Sequence, residues 1–132
     1  MFKQNITYTD FNGNERKEDF YFHLSTPEVI RLEAEIGEKI DEYTKRLAEA
    51  MELAPLLAFL EKMILSSYGK KTSDGKSFIK TPELRSEFEH SQAYAEFFEM
   101  LIKDPELAKK FGQSVADNGK KKNQVPPKVE GQ

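Results

Sequence analysis

The chain has 132 residues, no cysteine, and 20 basic against 23 acidic side chains, for a formal net charge of -3. That length suits one ordinary domain with one modest core, and the missing cysteines exclude disulfides and thiolate metal sites. The near-balanced charge creates no strong field toward nucleic acid or an acidic membrane, so neither is expected as a partner. The first ten residues lack the basic-then-apolar order of a signal peptide, and no apolar run reaches the ~18–20 residues that span a bilayer. The longest, residues 53–65, is interrupted by Pro55, Glu61 and Lys62. A soluble, non-secreted, cytoplasmic protein is the expectation.

In chain order, Phe2, Gln4, Ile6 and Tyr8 alternate with Lys3, Asn5 and Thr7, and Phe20, Phe22 and Leu24 alternate in the same way. Period two is the mark of a strand with one covered face. Between the two runs, Asn12-Gly13 readily takes the positive φ of a tight turn, so residues 2–24 read as a β-hairpin. Three helix starts follow one logic, at Ser25-Thr26-Pro27-Glu28, Lys80-Thr81-Pro82-Glu83 and Asp104-Pro105-Glu106. A hydroxyl or carboxylate caps free amides, proline takes the first helical position, and glutamate faces the positive end of the dipole.

From Thr26, the residues Val29, Leu32, Ile36, Ile40, Tyr43, Leu47 and Met51 recur at three or four and draw an apolar helical stripe. Gly37 inside it costs roughly 1 kcal/mol relative to alanine and marks a kink or break. Pro55 ends that pattern or opens the next. A helix at about 54–68 carries apolar residues on more than one face, which suits a central core helix, with Gly69 as its stop. Residues 70–80 form a loop or a small hairpin, and helices follow at about 82–90, 92–103 and 105–115. The fold class is therefore mainly α with a small N-terminal β-hairpin, an α+β arrangement. One domain is expected over 1–116, with the hairpin at 2–24 and helices at 26–116. From 117 to 132 the chain carries too little apolar surface to offset its ordering entropy and is expected to be disordered unless bound.

Catalytic chemistry finds little footing. His23 and His90 lie on different elements without ligand spacing, so both read as structural or solvated. Glu33, Glu35, Glu38, Asp41 and Glu42 flank the apolar stripe as a solvated face, with Glu35 placed to pair with Lys39 and Glu38 to face Glu42. The glycines are scattered, Gly13 and Gly75 at turns and Gly69 and Gly112 at helix ends, and none forms a phosphate-cradling loop. Lys120, Lys121 and Lys122 are the sole basic run and lack interleaved aromatics, which suits a solvated tail. No catalytic residue, metal ligand or cofactor is assigned, and a non-enzymatic protein is expected.

Apolar surface is what remains. Tyr94, Phe97, Phe98, Leu101 and Ile102 follow a helical stripe, joined by Phe88 before it and Phe111 after it, while Met100 falls off the stripe. Core packing accounts for much of this, yet a small chain has limited interior for ten phenylalanines and five tyrosines. Phe88, Tyr94, Phe97, Phe98, Met100, Leu101 and Phe111 are accordingly the candidate protein-binding residues. The stripe from Val29 to Met51 is compatible with a homo-oligomer.

Several stretches resemble the tail assembly chaperones of long, flexible-tailed bacteriophages and related prophages. They are residues 6–25 (ITYTDFNGNERKEDFYFHLS), 68–80 (YGKKTSDGKSFIK), 83–88 (ELRSEF) and 93–98 (AYAEFF), within a similarity covering roughly 1–116. The resemblance implies a protein that binds the tape-measure protein, keeps its hydrophobic helices soluble, and helps tail-tube subunits assemble around it. It also implies work in the bacterial host cytoplasm and absence from the finished particle. The alternative is a small structural virion protein, a tail or head-completion subunit, which mass spectrometry of purified particles would find in stoichiometric amount.

Members of that family often come as a short product and a longer one made by ribosomal frameshifting. Gly119-Lys120-Lys121-Lys122 can be encoded by a G followed by a run of A, a slippery sequence. The expected gene has an unbroken A-run there and an overlapping downstream frame. Reading the nucleotide sequence checks this, and lysine codons that interrupt the run would remove the basis for it.

Overall fold

In the computed structural model, which describes residues 1–117, the two alternating segments pair as β1 (Phe2–Thr9) and β2 (Glu15–Phe22). Their antiparallel register sets Phe2 opposite Phe22 and Gln4 opposite Phe20. The even-numbered residues of both strands share one face, and on it Phe2, Ile6 and Phe22 are buried. The connection is longer than an Asn-Gly two-residue turn. Asp10 organises residues 10–14, its carboxylate accepting from the Asn12 and Asn14 amides and from Arg16, and Gly13 alone takes positive φ.

Ser25 then heads α1 (Thr26–Ile36) with a complete capping box, accepting from the Glu28 amide while Glu28 accepts from the Ser25 amide. The expected stripe splits here. Gly37, at φ 80, closes α1 in the left-handed conformation, and α2 (Ile40–Glu49) begins three residues later. The break removes the i,i+4 geometry proposed for the acids beside it. Glu35 pairs with Lys62 at 3.0 Å instead of Lys39, and Glu38 pairs with Arg46 at 2.6 Å instead of facing Glu42.

Helix α3 (Leu53–Ser67) runs directly into β3 (Tyr68–Lys71), which pairs with β4 (Phe78–Ile79). The N-terminal hairpin is thus half of one antiparallel sheet with the order β1-β2-β3-β4. Gly69, read from sequence as a helix stop, is a buried strand residue opposite Tyr21. A Cβ there would lie 2.6 Å from the Ile79 carbonyl oxygen and 2.7 Å from the Phe78 ring, so only glycine lets these strands close.

Thr81 and Ser91 cap α4 (Pro82–Glu89) and α5 (Gln92–Lys103), and the Asp104 carboxylate accepts from the Leu107 amide at the head of α6 (Pro105–Asp117). All three sequence-read helix starts are therefore present. Gly112 lies inside α6 and does not end it. Phe111 and Val115, both buried, tie that helix to the core, which outweighs the roughly 1 kcal/mol glycine penalty. The tail over 118–132, including the lysine run, lies outside the described residues.

One ring organises the interior. Phe22 is fully buried and stacks on Phe97 at 4.8 Å, meets Phe111 edge-on at 5.7 Å, and touches Phe2, Tyr68 and Phe88. At the margin of this cluster, Lys80 Nζ donates to the His23 and Ser66 carbonyls and to Glu28, joining the end of β2 to α1, α3 and β4. Burial of Glu28 opposes its charge, but the Lys80 and Ser25 hydrogen bonds outweigh it and hold the carboxyl below its usual range. Truncating the central ring, Phe22→Ala, is expected to destabilise the domain by about 3–5 kcal/mol. Denaturant unfolding checks this, and Phe22→Leu should lose substantially less.

Candidate functional site

The structure places the seven sequence-derived candidates in two groups. Phe88, Phe97, Leu101 and Phe111 are buried, each at most 3% exposed, and belong to the aromatic core. They are closed to a partner in this fold, because α4, α5 and α6 turn their aromatic edges inward onto β1 and β2. Tyr94, Phe98 and Met100 are half-buried at the rim of the same core. Tyr94 is further committed, donating to Glu61 at 3.1 Å; burial first, and then the Glu61 carboxylate, pushes its hydroxyl pKa well up. Met100, singled out for falling off the stripe, also packs against the core from one side.

The apolar surface that remains open lies elsewhere. Helix α3 was read as the central core helix, and its C-terminal half fits that description, with Phe59, Met63 and Ile64 buried. Its N-terminal half does not. Leu53 is 58% and Leu57 40% exposed, and Ala54, Pro55 and Ala58 are exposed beside them. Leu53 and Leu57, like Ala54 and Ala58, stand four apart and so form two rows along one side of the helix. The small alanines allow a partner backbone to approach closely.

Met51 heads this ridge in an unusual way. The Met51 amide donates to Ala48 and the Glu52 amide to Leu47, the paired closure that ends α2. Position 51 in such a closure adopts left-handed backbone, φ 59, where glycine is the comfortable residue. Methionine stands there instead, and its side chain is 75% exposed. It gains little from packing and carries a left-handed penalty of about 1–2 kcal/mol. A strained residue that gives little to the fold points to use of the side chain outside it. The sequence offered Met51 only as the last step of a stripe.

Among the described residues no group of three or more His, Asp or Glu could hold a metal ion, and no helix is long and apolar enough to cross a membrane. His90 sits exposed at the end of α4, its Nδ1 2.8 Å from the Ser86 carbonyl. His23 lies just past β2 against the Phe78 ring, with Nδ1 buried and unpartnered, and burial first, then nearby positive charge, lowers its pKa. The Ser86 hydroxyl also lies 3.4 Å from His90 Nδ1, and the two histidines sit on separate elements.

These features describe a small α+β domain with an aromatic interior and an exposed apolar edge at the start of α3; Ile30 of α1 and Ile102 of α5 are exposed singly. A family model described as phage tail assembly chaperone matches residues 1–119, and the chain belongs to that family. No curated protein and no solved structure matches the chain.

The strain at position 51 makes a sharp prediction. Met51→Gly should raise stability by about 0.5–1 kcal/mol, since relief of the left-handed penalty exceeds the added unfolded-state entropy of glycine. Thermal or denaturant unfolding checks this, and a loss of stability would show that the methionine side chain serves the fold.

Proposed function

We propose that this chain binds the amphipathic helices of the tape-measure protein and keeps them soluble while tail-tube subunits assemble. The work is done in the host cytoplasm, and the chaperone leaves before the particle is complete. The observation that carries this reading is the open ridge of Met51, Leu53, Ala54, Leu57 and Ala58, an apolar edge presented on a helix of a tail assembly chaperone. An amphipathic client helix laid along it would bury its own apolar stripe against the leucines, a helix-on-helix mode that needs no nucleotide and no covalent step. The half-buried rim residues Tyr94, Phe98 and Met100 are secondary contact candidates. A longer frameshifted product belongs to the same reading and rests on the run at 119–122.

Co-expression tests the proposal directly. The wild-type chain should hold a helix-rich tape-measure fragment in the soluble fraction, and Leu57→Glu should lose this while remaining folded, because residue 57 lies at the margin of the core and is 40% exposed. Mass spectrometry of purified particles should not detect the chain. A stoichiometric presence there, or equal solubilisation by Leu57→Glu, would refute the reading.

A further inference from the structure

We infer that the occupant of the 51–58 ridge is a helix whose apolar stripe is flanked by Lys or Arg, and not a second copy of this chain. This rests on the reading that the ridge receives client helices and adds the chemistry by which it selects them.

The charges around the ridge are one-sided. Residues 47–61 contain Glu49, Glu52 and Glu61 and no lysine or arginine. All three acids are exposed, with Glu49 and Glu52 at the head of the ridge and Glu61 one turn beyond Leu57. The nearest cations in sequence face other partners. Arg46 is held by Glu38 at 2.6 Å, and Lys62 by Glu35 at 3.0 Å. Glu49 and Glu52 make no close ion pair among the described residues, although Arg46 lies near enough to feel the Glu52 charge, and Glu61 accepts the neutral Tyr94 hydroxyl. The start of α3 contributes about half a positive charge from its dipole, which two neighbouring carboxylates exceed.

An apolar strip bordered by three exposed acids, only one of them near a cation, favours a partner with basic flanks, since like charges across an interface repel and opposite ones also speed encounter. Two copies of this chain meeting ridge to ridge would bring six carboxylates together, with Arg46 of each copy already held by its own Glu38. A client helix with lysines beside its leucines meets the same acids favourably. Three exposed pairs are worth about tenfold in affinity together.

The experiment uses the full chain and two designed helical peptides of about 20 residues (~30 Å). Both carry leucines at i, i+3, i+4 and i+7; one has lysine flanks and the other glutamate flanks. Fluorescence anisotropy should show the lysine peptide binding about tenfold or more tightly, with the preference collapsing near 1 M salt, where the screening length falls to about 3 Å. Glu49→Lys with Glu52→Lys should reverse the preference, and Leu57→Glu should abolish binding of both peptides. Equal affinity for the two peptides, with Leu57→Glu still abolishing it, overturns the charge inference and leaves the ridge as a client site. Sedimentation showing a dimer that Leu57→Glu dissociates overturns it in favour of a second copy. Peptide discrimination together with failure to solubilise the tape-measure fragment supports the inference and counts against the functional reading alone.

Discussion

The fold hangs on the fit of one strand residue among five helix and strand neighbours. Phe22 is the last residue of β2, and its ring fills the space where β1, β3, α4, α5 and α6 converge. Because strand side chains alternate, this placement fixes the register of the hairpin: a one-residue slip would turn Phe22, Phe20 and Leu24 outward together. The same ring explains why segments distant in sequence must fold together. Phe2 from the first strand and Phe111 from the last helix meet edge-on at 5.3 Å, and both lie against Phe22. The N-terminal hairpin is thus a wall of the core against which the later helices dock.

Concentrating the aromatics there leaves α1, α2 and the start of α3 with a thinner interior. Their contribution to the core is Leu32, Ile40, Leu47 and Phe59, with Tyr43 edge-on to Phe59 at 4.9 Å. One side of α3 is covered by this layer, while Leu53, Ala54, Leu57 and Ala58 of its N-terminal half stay exposed. The asymmetry has a consequence for solubility. An open row of leucines invites self-association, and exposed acids beside it are a common way for a chain to discourage that.

Much of the architecture was legible in the sequence because the relevant physics is local. Period-two alternation named the buried faces of β1 and β2, and cap residues with proline and glutamate named the three helix starts. The break at Gly37 was visible because a glycine in an apolar stripe is costly. What escaped depends on distant parts of the chain. Gly69 looks like a helix stop until the approach of Phe78 and Ile79 is known, and then it is a close-packed strand residue. The exposed ridge on α3 escaped for the same reason. A helical stripe reveals which side of a helix is apolar but not what covers it. The aromatic stripe of α5 is met by the sheet, whereas Leu53 and Leu57 of α3 are left partly exposed. Two local signs pointed to the second outcome, the apolar residues on more than one face of α3 and the charge-free stretch between Glu52 and Glu61, but both equally suit a fully buried helix.

The size of the ridge bears on how a chaperone of this design would work. Fully burying a leucine or methionine gains about 1.5–3 kcal/mol, and the ridge side chains are partly covered already, so Met51, Leu53 and Leu57 together supply roughly 3–6 kcal/mol. Association costs an estimated 4–15 kcal/mol before any surplus appears as affinity. On the proposed reading, a single ridge would hold a client helix weakly and briefly. That would suit a chaperone that hands its client on, provided many contacts act along one long partner. Linked weak sites hold far more tightly than any one of them, yet each can be displaced in turn. On this view the ridge is kept small and shallow because a deeper groove would bind too well to let go.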